Sequence, residues 1–257
     1  MGLFGSSQKR EHRPAVTEPA VPAGTRVYAI GDIHGRLDLL KDLEYLIGEH
    51  AHKAPVARKC IVYLGDYVDR GMQSKEVIDH LLEGPPAGFE AVYLKGNHEE
   101  FLLHFLEDVR IGPSWIANGG GATLYSYGAR SPEQGNEQDR LSNLRVQLLE
   151  LLPPSHFDFM SNLPLSHVEG DYYFVHAGVR PGVPLGEQRA EDMLWIRHLF
   201  LDDTRDYGKI VVHGHTITDA PVVLPNRIGI DTGAYASGVL TCLVLEGTAR
   251  DFIHTGY

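Results

Sequence analysis

Apolar and polar positions along this chain fall into a strand, loop, helix order that repeats three times. Arg26-Val27-Tyr28-Ala29-Ile30 is a short β-type run that stops at Gly31, and Leu37, Leu40, Leu43 and Ile47 then recur at helical spacing. The order returns with Cys60 to Leu64, the loop Gly65 to Gly71 and a helix near Ser74 to Leu82. It returns again with Ala91 to Leu94, Lys95 to His98 and a helix near Glu99 to Leu106. Three successive βα units predict an α/β fold. Beyond Pro113 the period loosens through Asn118-Gly119-Gly120-Gly121, which reads as a flexible turn, and through Ser131 to Asp139. An apolar helix near Leu141 to Leu152 comes next and ends at Pro153-Pro154. This stretch, near 113–165, reads as a helical insertion flanking a site. Short strands then resume at Tyr172 to Val175, Ile210 to Val212, Val222 to Leu224, Ile228 to Ile230, Leu240 to Leu245 and Ala249 to Ile253, enough for a second sheet.

Ahead of the first strand, Ser6 to Gly24 is polar, carries Pro14, Pro19 and Pro22 and has no apolar period. Residues 1–24 therefore read as a disordered arm and 25–257 as the folded domain. Gly2 with Ser6 matches the short N-myristoylation pattern. The net charge of −11 opposes non-specific attraction to nucleic acid or anionic lipid, so an anionic substrate has to be attracted locally. Cys60 and Cys242 make neither a disulfide framework nor a CxxC pair, which points to a reducing, cytoplasmic setting. No stretch approaches a membrane span.

The candidate chemistry sits in loops at the ends of the expected strands: Gly31-Asp32-Ile33-His34-Gly35, Gly65-Asp66-Tyr67-Val68-Asp69-Arg70-Gly71, Gly96-Asn97-His98-Glu99, His176-Ala177-Gly178 and His213-Gly214-His215-Thr216. Loops at the carboxyl ends of strands in open α/β sheets face a common crevice. Asp32 and His34, two apart between glycines, can reach one ion. Asp66 has two oxygens and can bridge two cations, while Asn97, His176 and His215 can supply the second. Donors of imidazole, carboxylate and amide type without thiolate suit Mn, Fe or Zn. Two such cations roughly 3.5–4 Å apart hold a shared water, lower its pKa toward about 7 and clamp an in-line displacement at phosphorus. With Asp69 fixing its imidazole, His98 can give a proton to the leaving group, and Arg70 offers a planar fork for phosphate oxygens.

These segments resemble the signature of the calcineurin-like metallophosphoesterases, and within them the serine/threonine phosphoprotein phosphatases. The full Gly65 to Gly71 and Gly96 to Glu99 strings are the specific part. The chain's brevity, His176-Ala177-Gly178 and Asp231-Thr232-Gly233-Ala234-Tyr235 are similar to the bacterial and bacteriophage branch. The resemblance implies a β-sandwich of two mixed sheets flanked by helices. It implies one metal on Asp32, His34 and Asp66, the other on Asp66, Asn97, His176 and His215, with manganese foremost, and Asp69 with His98 as the acid dyad. A second phosphate-holding arginine is implied downstream, where Leu194-Trp195-Ile196-Arg197 selects Arg197, with Arg180 behind it. His213 is left between touching metal and orienting a ligand. No Ser-Ala-Pro-Asn-Tyr segment of the eukaryotic members is present.

The expected activity is hydrolysis of phosphoserine and phosphothreonine monoesters, with phosphotyrosine as a further substrate and phosphorylated proteins or peptides as partners. A diadenosine polyphosphate hydrolase is the alternative, and Asp69 and Glu99 speak against it because that relative's motifs usually lack the second Asp and read GNHD. A non-catalytic phosphoprotein-binding scaffold would have lost a ligand, and none is lost. A cysteine-dependent phosphatase needs Arg six residues after the nucleophile, whereas Asp66 and Thr248 stand there. Nine of the 14 histidines, among them His50, His80, His104 and His167, read as ordinary loop or core residues.

Overall fold

The computed structural model describes residues 18–53 and 55–256. Strand β1 (Thr25–Ile30) is buried along its whole length, as a strand covered on both faces must be. The pleat sends alternate side chains to two cores: Val27 and Ala29 face a second sheet, and Tyr28 and Ile30 face helices. β2 (Arg58–Tyr63) and β3 (Glu90–Tyr93) run parallel to β1 on one side. A further pair near the carboxyl terminus, Thr241–Glu246 and Ala249–His254, lies antiparallel on the other. The second five-stranded sheet contains β4 (Ser166–Glu169), β5 (Tyr172–Val175), β6 (Ile210–His213), β7 (Val222–Val223) and β8 (Arg227–Gly229), with β5, β6 and β8 parallel and the outer two antiparallel. Both sheets are mixed, and they stack on Val62, Leu64, Phe174, Val212, Ile228 and Leu243.

Helices α1 (Leu37–Lys53), α2 (Ser74–Leu82) and α3 (Asn97–Glu107) cover the outer face of the first sheet. The apolar stripe seen in the sequence is the buried one: Leu40, Leu43 and Ile47 are fully buried, each contributing roughly 1.5–3 kcal/mol. Short helices at Ala190–Trp195 and His198–Leu201 cover the second sheet through Met193, Ile196 and Phe200. Among the described residues no helix is long and apolar enough to cross a membrane, and Cys60 and Cys242 are buried free thiols.

Three regions differ from the sequence reading. Residues 1–17 of the expected arm, with the myristoylation-type pattern, lie outside the described residues. Residues 18–24 are described, and they dock: the Val21 N–H donates to Gly247 O at 3.0 Å, the Ala20 N–H to Asp171 Oδ2 at 3.0 Å, and Val21 is buried in the inter-sheet core. The stretch read as a loose turn at Asn118 to Gly121 is helical, a five-residue π-type turn (Ile116–Gly120) between the helices Gly112–Trp115 and Gly121–Ser126. Gly119, at φ 107°, kinks it. Two further helices, Glu137–Leu151 with an Asn136 cap and Pro154–Asn162, complete this segment. β4 went unmarked because its apolar Val168 points outward on an edge strand.

Candidate metal centre

Six parallel strands, three from each sheet, end on one edge of the sandwich, and a polar residue stands just past each. Asp32 follows β1, Asp66 β2, Asn97 β3, His176 β5, His215 β6 and Asp231 β8. All six are buried. The described residues other than glycine that take positive φ are His34, Asp66, Asp69, Arg70 and His215, all in these loops, so backbone strain is concentrated where the side chains converge. Glycines allow the loops to touch: a Cβ at Gly65, itself at φ 99°, would lie 2.4 Å from Gly96 N.

The convergence yields two groups, His34 with Asp66 and His98, and Asp66 with His176 and His215, whose ligand-type atoms lie within 4.8 Å of one another. Asp66 belongs to both. Asn97 joins the second through Oδ1, 2.9 Å from His176 Nε2. Asp32 falls outside both groups and accepts from the His215 backbone N–H at 3.2 and 3.1 Å.

These donors fit cations. His34 Nδ1 donates to Val68 O at 2.8 Å and His176 Nδ1 to Leu64 O at 2.9 Å. A carbonyl only accepts, so each Nδ1 carries the proton and each Nε2 presents a lone pair. The His176 lone pair then faces the Asn97 oxygen, and Asp66 oxygens stand 3.5 Å from His34 Nε2 and 3.4 Å from His176 Nε2. Acceptors facing acceptors in a buried site repel unless a positive ion lies among them. His34 Nε2 and His215 Nε2 are buried with no hydrogen-bond partner.

The electrostatics agree. Burial pushes the His34 imidazole down to about 3 and His215 to about 2, so both stay neutral as ligands must. Burial, with repulsion from Asp231 and Asp66, raises Asp32 well above the carboxylate range. Asp231, absent from the sequence-derived set, is raised by burial to about 6, the Gly233 N–H opposing and Asp66 adding repulsion. It was legible by the rule that found the others, an acid directly after a parallel strand.

His98 differs from the other imidazoles. Burial lowers its pKa, but Asp66 and then Asp69 outweigh burial, and the net shift is upward. Its Nδ1 lies 2.7 Å from Asp69 Oδ2, which fixes the ring with Nε2 toward the site, 3.3 Å from Arg70 Nη2. Two residues that carry no motif hold Asp69: Trp115 Nε1 donates to Oδ2 at 2.9 Å and Thr123 Oγ1 to Oδ1 at 2.6 Å. Both come from the helical segment after Gly112. Gly119 fits it against the loop, since a Cβ there would stand 2.7 Å from Arg70 Cγ, and its carbonyl accepts from Arg70 N at 3.1 Å.

The four remaining candidates separate. The Arg70 guanidinium lies beside His98 and over the Tyr235 ring, 4.8 Å from its centroid. Arg197 reaches the other side, donating to His215 O and Thr216 Oγ1, each at 3.1 Å. Arg180 does not join: it forms a bidentate pair with Asp192 at 2.8 and 2.6 Å. His213 belongs to neither group, because Nδ1 meets Gly214 O at 3.0 Å and Nε2 meets Arg227 Nη1 at 3.3 Å.

The sequence matches the calcineurin-like phosphoesterase family over residues 25–227. It is 30% identical over 237 residues to bis(5'-nucleosyl)-tetraphosphatase PrpE (asymmetrical) of Anoxybacillus flavithermus, covering 83% of this chain and 88% of that protein. In fold it is similar to the crystal structure of a candidate diadenosine tetraphosphatase, with TM-score 0.58, 20% identity and coverage of 93% and 99% of the two chains. It is also similar to a serine/threonine phosphatase of Saccharomyces cerevisiae, with TM-score 0.51, 15% identity and coverage of 93% and 84%.

The relatives correct one expectation: phosphorylated proteins and peptides are not the partners that the matched relatives' names give, which are dinucleoside tetraphosphates. The physical reason lies in the two residues that speak against a dinucleotide enzyme. Glu99 faces the scaffold, its carboxylate accepting the N–H groups of Asp66, Tyr67 and Gly96 at 3.0, 2.8 and 2.9 Å and so clamping two loops together. Asp69 is enclosed by His98, Trp115 and Thr123. Both side chains are fully buried.

Proposed function

This chain belongs to the calcineurin-like phosphoesterase family, and from that premise we propose that it hydrolyses dinucleoside tetraphosphates asymmetrically. Water adds at one phosphorus, a P–O–P bond breaks, and the products are a nucleoside monophosphate and a nucleoside triphosphate. The observation that carries this reading is the likeness over 237 residues to a bis(5'-nucleosyl)-tetraphosphatase. Asp32, His34 and Asp66 would hold one divalent ion, and Asp66, Asn97, His176 and His215 the other. The thiolate-free donor set suits manganese, iron or zinc alike, and manganese is our choice among them. Bound there, divalent ions would offset phosphate charge and lower the pKa of water.

The chain's own residues supply the rest. His98, oriented by Asp69 and with its proton affinity raised by Asp66 and Asp69, gives its Nε2 proton to the oxygen of the departing triphosphate, and the attacking water replaces that proton. Arg70 and Arg197, on opposite sides of the two groups, offer guanidinium forks to phosphate oxygens in a chain of net charge −11. The test is turnover by metal-stripped protein before and after manganese, with diadenosine tetraphosphate, a phosphothreonine peptide and p-nitrophenyl phosphate, and Asp32→Asn as control. Manganese-dependent appearance of AMP and ATP in equal amounts, absent from the control, is the expected result. Hydrolysis of p-nitrophenyl phosphate with the dinucleotide left intact would overturn the reading.

A further inference from the structure

A phosphate-clamping centre recognises nothing of the bases at the two ends of a dinucleotide, so a nucleoside subsite has to be found elsewhere. The cavity between helices Gly121–Ser126 and Glu137–Leu151 has a volume of about 510 Å³, within the range of small-molecule sites. Its floor is apolar, formed by Ile116, Leu124, Leu141 and Leu144. At its wall Tyr125 is 53% exposed, and the Arg130 guanidinium packs over its ring 4.0 Å from the centroid. Arg130 is fixed there by donating to Tyr125 O at 3.0 Å and Ala129 O at 2.8 Å, so the stack is pre-formed. On the rim, the Arg140 side chain has no hydrogen bond or ion pair among the described residues, and Glu137 offers acceptors. A flat aromatic face, apolar walls, a carboxylate for hydroxyl or amino groups and an unpaired cation in an acidic chain together match a nucleoside joined to phosphate.

The position also suits. The turn Ile116–Gly120 touches the catalytic loop on one face, where Gly119 O accepts from Arg70 N, and lines the cavity on the other with Ile116 and Ala117. A helix with its side chains is about 10–12 Å across, which places the cavity about one helix width from Arg70, within the span of a tetraphosphate bridge. We propose that this cavity holds the distal nucleoside of the dinucleotide, with its base on Tyr125 and Arg140 meeting the adjoining phosphate. The assignment rests on the dinucleotide reading above.

Two measurements on the full chain test it. In the manganese-loaded enzyme, Tyr125→Ala and Arg140→Ala are each compared with wild type for KM on diadenosine tetraphosphate and on p-nitrophenyl phosphate. The ratio of the two KM values should rise roughly tenfold in Tyr125→Ala, the order that loss of one base–aromatic stack gives. In the metal-free protein, saturation-transfer NMR with AMP should show contact to the adenine protons that Tyr125→Ala abolishes. Unchanged KM ratios with wild-type turnover of the dinucleotide intact would overturn the subsite and leave the function standing. Tyr125-dependent adenine contact in a wild type inert toward the dinucleotide would keep the site and overturn the function. Absence of Tyr125-dependent contact, whatever else occupies the cavity, would overturn the site.

Discussion

The loops at the ends of the six parallel strands and the helical segment from Gly112 to Asn162 are built on opposite principles. The loops are buried, strained and charge-dense, with five non-glycine residues at positive φ and acceptors facing acceptors. The helical segment takes positive φ only at glycines, Gly119, Gly128 and Gly135. Its inner face gives Trp115 and Thr123 to Asp69, and its outer face opens into an apolar cavity. The loops hold what every phosphoester or phosphoanhydride hydrolysis shares. Whatever distinguishes one substrate from another has to come from parts that the phosphate does not dictate, and the helical segment is such a part.

The sharpest break in this division is Asp66→Asn. Because Asp66 belongs to both ligand groups, losing its charge should cost metal affinity at both positions by more than the roughly 10–100-fold that outer-shell losses cost, and abolish turnover of every substrate alike. Metal stoichiometry by elemental analysis, measured beside activity, checks this; two ions retained would mean that Asp66 bridges nothing. Next in size is His98→Ala, expected to lower kcat by about 10²–10⁴ on an alkyl phosphomonoester with metal content intact. The loss should be smaller on the dinucleotide, whose departing triphosphate is a better leaving group than an alkoxide. Equal losses on both would remove His98 from the proton-donor role.

Thr123→Val asks whether the helical segment reaches the chemistry at all. It removes the hydroxyl 2.6 Å from Asp69 Oδ1 without changing side-chain volume much. A hydrogen bond to a charged group contributes about 1.5–3 kcal/mol, so kcat on the alkyl ester should fall by about 10–100-fold if His98 depends on it. Thr123→Ser should restore most of that loss. A fall of the same size on p-nitrophenyl phosphate, which needs little protonation, would make Thr123 a folding residue only.

That dependence explains what could be read from the chain and what could not. Asp32, His34, Asp66, Asn97, His98, His176 and His215 were legible because each lies after a strand within a short polar loop, often beside glycine, where local geometry is dictated by near neighbours. Trp115 and Thr123 were not, because their significance is a contact with Asp69 across 46 and 54 residues of chain. The glycines between them misled for the same reason: Asn118-Gly119-Gly120-Gly121 has poor helix propensity, yet close approach to Arg70 and to the Trp115 ring, where a Cβ at Gly120 would stand 2.4 Å away, decides the conformation. Substrate class was misread where Asp69 and Glu99 were used as motif marks against a dinucleotide enzyme, although Glu99 spends its carboxylate on the N–H groups of Asp66, Tyr67 and Gly96.

Beneath both regions the helices α1 and α2 are tied by an ion pair that gives the smallest effect and a pH response of its own. His80 Nε2 lies 2.7 Å from Glu44 Oε2, and that hydrogen bond raises the His80 pKa above its ordinary value. A histidine whose folded pKa exceeds its unfolded one of about 6.5 stabilises the native state fully below pH 6.5, and the contribution fades as pH rises through the folded value. His80→Gln should therefore cost about 1 kcal/mol at pH 5.5, reduced from a buried charged bond by partial exposure, and a few tenths at pH 9. Urea unfolding of metal-free protein at the two pH values measures the difference. A cost that grows with pH would mean that His80 is held neutral. Burial holds the His34 and His215 imidazoles neutral down to about 3 and 2, so a cost that falls with pH in this window reports His80 and not those two residues.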